Sequence, residues 1–564
     1  MSLPDFYATE EPVTGVESAP KSNLNAGTEP ARCGRGPARD PALHDLKRKT
    51  AHGTLICTLG QCISLLLRTG SMMVLARLLS PADFGLLGMA TVFTGFVAMF
   101  QDLGLSMATV QCASITHAQA SMLFWINLSA GVLLAALCAA TAPVLTAFFR
   151  EPRLLWMTAV IGAAFIFSGV SAQHRAMLMR EMRFSVLTKI DIAALCASVA
   201  LGIGMAATGL GYWALVGMAI CGPVVGAPCL WVASGWIPGP PRRGTPIWSM
   251  LKFGGATTLD NLIVYFAYNA DKVLLGRFWG TEMLGIYGRA YQLVNLPTQN
   301  LYNTISAVAF PALSRLQNDR ERLRNYFLKG YGLFLSLVLP ITMGCLLFAE
   351  DIIQVFLGSK WGGAVPIFRL LAPTIFVFAL INPISWLLMA EGRAVRNLKL
   401  SLLIAPVVIL GYVAGLRYGP NGVAAGYSVA ALLLVVPVIC LSTPGTAITA
   451  FEAFRVILRP LLAVLTGAGA TLAAWGLIQG LTPPLLRLII ANVVLFGVYA
   501  IVLLFVMGQK AVYLGLLRDI GVWPRPDETK GKRRSDASRE PVAEPLKPLE
   551  LERFIRSHDG AQGN

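Results

Sequence analysis

Between two long apolar runs stands VLARLLSPADFGLLG, Val74 to Gly88. At an offset of 200 residues, LLGRFWGTEMLGIYG, Leu274 to Gly288, falls on top of it. Arg77 meets Arg277, Gly85 meets Gly285 and Gly88 meets Gly288, while the acids Asp83 and Glu282 lie one position out of step. Each copy ends one apolar run and begins the next: the first into the second, the seventh into the eighth. The copies are therefore six crossings apart. An even number of crossings brings the chain back to the same side, so both halves enter the membrane in the same direction. Parallel repeats of this kind are related by an axis along the membrane normal, and alternating-access transporters run their substrate path between the halves. A channel or a passive scaffold needs no such duplication.

Composition identifies the solvent. Of 564 residues, 55% are hydrophobic and 13% charged, and the mean hydropathy is +0.62. Soluble chains carry about 25% charged residues, and a water-soluble protein of this length would need several polar-surfaced domains. The charge for those surfaces is missing, so lipid is the main solvent. Lys and Arg number 46 against 30 Asp and Glu, a net charge of +16 and a pI near 9.6. The cations sit in the tails and in connections between apolar runs, which is the pattern of a membrane protein and argues against a nucleic-acid partner. Nine of ten cysteines lie in or beside apolar runs without C-x-x-C spacing, and five histidines are scattered. No disulfide, metal site or cofactor is expected from them. P-loop, HExxH and GxSxG motifs are missing as well, which weighs against an enzyme.

A window of roughly 20 residues finds fourteen candidate spans, at 54–77, 84–107, 120–148, 154–174, 187–208, 211–233, 248–276, 283–311, 325–348, 364–389, 398–416, 421–441, 456–479 and 486–507. The seventh and eighth are the most polar. The expected class is an all-α integral membrane protein of about fourteen transmembrane helices. Its organisation is a disordered cytoplasmic tail (1–50), a first six-helix half (51–240), a second six-helix half (241–445), two extra helices (446–508) and a disordered basic tail (509–564). The first tail has no short apolar core before a small-residue cleavage site, so no signal peptide is expected. Connections after even-numbered spans carry 17 Lys and Arg, and those after odd-numbered spans carry seven. By the positive-inside rule, the even connections and both termini are expected on the cytoplasmic side.

Ala76-Arg-Leu-Leu-Ser-Pro-Ala-Asp-Phe-Gly85, followed by Phe100-Gln-Asp-Leu-Gly104, resembles the first-half signature of bacterial polysaccharide and O-antigen exporters, the Wzx-type lipid-linked oligosaccharide flippases. Ala270-Asp-Lys-Val-Leu-Leu-Gly-Arg277, Leu284-Gly-Ile-Tyr-Gly-Arg-Ala-Tyr291 and Ala309-Phe-Pro-Ala-Leu-Ser-Arg-Leu316 resemble that family's second half. The likeness covers roughly residues 50 to 440, in order and at the corresponding spans. It implies a MATE-like fold, since the superfamily includes the multidrug exporters. It also implies an inner-membrane flippase that moves undecaprenyl-diphosphate-linked oligosaccharide to the periplasmic leaflet during exopolysaccharide or lipopolysaccharide biosynthesis. Implied partners are membrane lipid, the lipid-linked substrate, and polysaccharide polymerase or export proteins. The alternatives are a multidrug or other amphiphile exporter of the same superfamily, which would favour acidic cavity residues, and a non-transporting component of the pathway. A membrane-embedded polymerase or ligase would need a large periplasmic loop, and the longest such connection here, around 349–363, is only about 15 residues.

Charge inside a span costs roughly 2.5–3.5 kcal/mol at the centre and faces the bundle interior or water. Arg68 lies deep in the first span and Arg289 in the eighth. An anionic diphosphate must shed water to cross, and guanidinium groups can replace its hydration, so these two are the candidates for headgroup contact, with Lys272 as a third. The competing reading pairs Arg68 with Asp260 or Asp102 to hold the bundle together. Asp271 and Lys272 are adjacent and point to different helix faces. Asp260, Asp271 and Asp102 are candidates for coupling to a proton or Na+, as carboxylates whose affinity would depend on which side is open to water. In the eighth span Gln292, Asn295, Gln299 and Asn303 share a helical stripe suited to sugar hydroxyls, and Pro297 kinks that helix. Gly411-x-x-x-Gly415 and Gly422-x-x-x-Gly426 are read as close-packing sites.

Overall fold

The computed structural model describes residues 41–101, 109–110, 115–241, 248–478, 480 and 483–510. Most of both tails, Asp102, and the side chain of Asp260 lie outside the described residues, whereas residues 41–50 are helical. The described chain is helical, without a strand. The first half comprises α1 (Pro41–Leu78, with the membrane-length part Ile56–Leu78), α2 (Pro81–Ala98), α3 (His117–Phe149), α4 (Leu154–Arg180), α5 (Phe184–Ala207) and α6 (Trp213–Ser234). The second comprises α7 (248–279), α8 (281–315), α9 (Arg320–Leu347), α10 (Ala364–Ala390), α11 (Ala394–Gly415) and α12 (Gly419–Ser442), and α13 (Ala450–Ile478) and α14 (Pro484–Ile501) follow.

The repeat motif makes the α1–α2 turn. Ser80 is the N-cap of α2: its hydroxyl accepts from the Asp83 N–H at 3.3 Å, and the Asp83 carboxylate accepts from the Ser80 N–H at 2.9 Å. Pro81 fills the first helical turn, where a missing N–H costs nothing. The second copy turns differently. Residues 248–315 would form a single 68-residue helix, but Gly280 has φ 76° and ψ −172°, which only glycine adopts readily. The chain reverses there. Tyr287 donates to Asp271 at 2.9 Å across 16 residues, which in a straight helix would span about 24 Å.

Eleven described helices are long and apolar enough to cross a membrane. The expected count of fourteen is therefore not reached by that criterion. α8 fails it through the polar residues already noted, the side chains of 248–264 in α7 lie outside the described residues, and α11 with α12 counts as one stretch, Ala394–Ser442. Those two helices form a tight hairpin: a Cβ on Gly411 would stand 2.6 Å from the Gly426 carbonyl, and one on Gly415 would stand 2.0 Å from that of Gly422. The glycine pairs are close-packing sites, as expected. The last helix is bound to α9, where Tyr499 donates to the Ser336 carbonyl at 2.7 Å, and to the connection 349–363, where Arg487 donates to Asp351 at 2.8 Å.

The surface is inside out relative to a soluble protein. Leu133, Leu410 and Val493 are 68%, 66% and 65% exposed, while Asp271 is fully buried. Apolar surface on this scale needs lipid against it. This is a multi-pass membrane protein.

Candidate functional site

The two copies of the motif meet face to face. A Cβ on Gly85 would lie 1.7 Å from the Thr281 carbonyl, and one on Gly285 would lie 1.8 Å from the Pro81 carbonyl. Pro81 and Thr281 are themselves equivalent at the repeat offset, so the contact is reciprocal: each half presents a glycine to the first turn of the other's helix. Only a residue without a side chain permits this approach. The connection 349–363 crosses from the second half to reinforce it. Lys360 donates to the carbonyls of Arg77 (2.8 Å) and Leu79 (2.6 Å), Trp361 donates to that of Ala76 (2.9 Å), and Arg77 donates to that of Val355 (3.1 Å). Trp361 is fully buried with Phe84, their ring centroids 5.6 Å apart. Burial pulls the Lys360 ammonium below its ordinary pKa, and the nearby Asp83 carboxylate pushes it partly back. At this end the halves are sealed.

At the opposite end they part. A cavity of about 1040 Å³ lies between α1, α4, α5, α6 and the far end of α8. Its polar lining includes Gln61, Ser64, Arg68, Arg175, Asp191 and Asn303. Arg68 is exposed to this cavity, and no carboxylate pairs with it among the described residues. Arg175 and Asp191 form an ion pair, each close to half exposed. A second cavity of about 330 Å³ lies within the second half, between α7, α8, α10 and α11, and shares Asn303 with the first. Asn295 and Gln299 line it, together with Asn382 and Ser385 of α10.

The remaining candidates lie apart from both cavities. Arg289 donates to Gln292, and its guanidinium stacks 4.0 Å over the ring of Phe84, which belongs to the other half. It is thus attached to the sealed end. Asp271 is buried behind the seal, accepting from the Tyr287 hydroxyl (2.9 Å) and the Lys272 backbone N–H (2.7 Å). The Lys272 ammonium turns away to Asn269 (2.7 Å) and over the Tyr291 ring. The two neighbours do diverge, and no salt bridge neutralises Asp271 among the described residues. Four tyrosines, 287, 291, 412 and 427, form a chain beside it.

Sequence reasoning missed Arg175, Asp191, Asn382, Ser385 and the Lys360–Trp361 brace. Arg175 counted only as a topology signal. Amide and hydroxyl side chains interrupting the apolar α10, beside Pro383, were the available signal for Asn382 and Ser385.

The described helices form a membrane bundle sealed at one end by the two copies of one motif and parted around a polar cleft at the other. The polysaccharide biosynthesis protein family matches residues 74–366, over half of the sequence, and the chain belongs to that family. The lipid II flippase MurJ family also matches, over residues 257–496. Lipopolysaccharide biosynthesis protein WzxC of Escherichia coli (strain K12) is 26% identical over 392 residues, 68% of this chain and 78% of that protein. Teichuronic acid biosynthesis protein TuaB of Bacillus subtilis (strain 168) is 29% identical over 314 residues, 53% of this chain and 63% of that one. Among solved structures, lipid II flippase MurJ in an inward closed conformation superposes with a TM-score of 0.64 at 14% identity, over 83% of this chain and 99% of that one. An inward-facing MATE family multidrug transporter of the MOP superfamily gives 0.56 at 14% identity, over 72% and 98%. At these identities the shared property is the fold, which is MATE-like as expected.

Proposed function

We propose that this protein is a flippase of the bacterial inner membrane that moves undecaprenyl-diphosphate-linked oligosaccharide outward by alternating access, in exopolysaccharide or lipopolysaccharide biosynthesis. The observation that carries this reading is the 1040 Å³ cleft with Arg68 in its wall, parted at one end and sealed at the other by the two copies of one motif. With the cation-rich connections and both termini on the cytoplasmic side, the cleft faces the cytoplasm, where the lipid-linked unit is assembled. The lipid tail stays in the bilayer while the diphosphate enters beside Arg68, which replaces part of its hydration. Arg289 is covered by Phe84 while the halves are sealed. Parting the seal uncovers it, so it serves as the headgroup contact of the outward-open state. Lys272 is a reserve cation bound to Asn269. Asp271 is the coupling carboxylate, for a proton or Na+. Asp260 and Asp102 remain candidates for the same role.

The test is deletion of the gene in its host, with chemical analysis of surface polysaccharide and of the lipid fraction. Loss of polysaccharide with lipid-linked repeat units retained on the cytoplasmic leaflet is expected. Undiminished polysaccharide in a strain without a redundant exporter refutes the reading. A multidrug exporter is disfavoured because the charge left without an ion-pair partner in the cleft among the described residues is a cation, Arg68, while Asp191 is paired with Arg175.

A further inference from the structure

The two cavities that meet at Asn303 differ in chemistry. The larger carries Arg68, Arg175 and Asp191. The smaller, 330 Å³ between α7, α8, α10 and α11, has among the described residues no ionisable group other than tyrosine in its wall. Its polar groups are amides and hydroxyls, and several are unspent: the side chains of Gln299, Asn303, Asn382 and Ser385 have no protein hydrogen-bond partner among the described residues. An amide both donates and accepts, as a sugar hydroxyl does. Tyr268 and Phe378, with ring centroids 6.0 Å apart, supply flat apolar faces on another side. The volume falls at the lower end of the about 300–1,000 Å³ usual for small-ligand pockets.

We propose that this second-half cavity is the glycan subsite. It holds the uncharged sugars nearest the diphosphate, while Arg68 across the shared Asn303 wall holds the diphosphate itself. The proposal rests on the flippase reading and adds a division of labour: charge recognition by the first half, hydroxyl recognition by the second. The subsite selects for neutral sugars, because its lining among the described residues offers no cation to a uronic acid and no carboxylate to an amino sugar.

The experiment uses the full-length protein in lipid nanodiscs and three probes: undecaprenyl diphosphate without sugar, the same lipid bearing N-acetylglucosamine, and the same lipid bearing glucuronic acid. Binding is measured for wild type and for Asn382→Leu, Ser385→Val and Asn382→Asp, with thermal melting as the check of folding. Each group lost should weaken the N-acetylglucosamine lipid roughly three- to tenfold, the worth of a hydrogen bond, and leave the bare diphosphate unchanged. Arg68→Ala should weaken all three lipids together. The glucuronic acid lipid should bind wild type more weakly than the neutral one, and the added charge in Asn382→Asp should widen that gap. Equal losses on bare and sugar-bearing lipids in the folded variants, or no loss on either, overturns the subsite. Failure of wild type to bind any of the three overturns the flippase reading instead, and the subsite falls with it.

Discussion

Gly85 and Gly285 hold equivalent places in the two halves, and so do Pro81 and Thr281, yet the helices behind them have different fates. Behind the first-half motif, α1, α4, α5 and α6 stand apart around a charged cleft. Behind the second, α7 and α8 fold back on each other, bury Asp271 beneath a row of tyrosines, and border a small cavity without a charged side chain among the described residues. A duplicated chain thus keeps its symmetry where the halves must meet and loses it where they must do separate work. The contact is self-complementary and tolerates no added atom, whereas the cavity walls can take any side chain that fits their contents.

The largest effect should come from removing charge on the first-half side. Arg68→Ala loses a charge-assisted contact worth about 1.5–3 kcal/mol, so export in a complementation assay should fall roughly 10- to 150-fold with expression preserved. Unchanged export would mean that the first-half cleft does not read the diphosphate. Next comes the symmetric contact itself. Gly85→Val and Gly285→Val should each disfavour the sealed state by about 1–3 kcal/mol through overpacking against a backbone carbonyl. Since both break one reciprocal contact, the double variant should fall well short of the sum. Labelling of a cysteine placed at Leu79 by a membrane-impermeant maleimide reads this directly, and additive effects would show that the two glycines act separately.

Smaller changes probe the second half. Asp271→Asn keeps an acceptor for the Tyr287 hydroxyl, so the protein should fold. Transport into proteoliposomes should nevertheless lose its dependence on a proton or Na+ gradient, and retention of both dependences would move the coupling role elsewhere. The Arg175–Asp191 pair is close to half exposed on both sides, a setting in which ion pairs contribute about 0–1 kcal/mol. Arg175→Gln should shift the melting temperature little, and a large export defect on that background would mark Arg175 as a substrate contact. The faintest effect concerns pH. Lys360 has a lowered pKa in the seal, so the sealed state binds its proton less firmly than an open, hydrated one. Sealing should therefore tighten as pH rises between the sealed-state value and the ordinary 10.5, and be flat below that window. The same maleimide labelling, followed against pH, checks the sign.

Much of this was legible in the linear chain because lipid imposes simple rules. Low charge, long apolar runs and an even number of crossings between two copies of one motif led to the expectation of parallel halves, and the pairs Gly411–Gly415 and Gly422–Gly426 announced close packing. Arg68 was recognisable as a cation too deep for its surroundings. What remained hidden depends on which state the molecule occupies. Arg289 is equally deep, but nothing in its spacing reveals that Phe84 of the other half covers it while the halves are sealed. Asn382 and Ser385 stand in a run that is otherwise apolar, and their role emerges only when α8 and α10 come together. Lys360 and Trp361 sit in a short connection with no periodicity, and their significance comes from the carbonyls they reach 281 and 285 residues away.

The brace over the seal has an electrical consequence. Arg77 and Lys360 spend their hydrogen bonds on main-chain carbonyls and form no salt bridge among the described residues. In the proposed orientation they lie at the outer face, two positive charges held between the halves. Moving a unit charge across the whole membrane is worth about 2.3 kcal/mol per 100 mV. A potential negative inside thus pulls both side chains inward, and an opening motion that carried them outward would have to work against it.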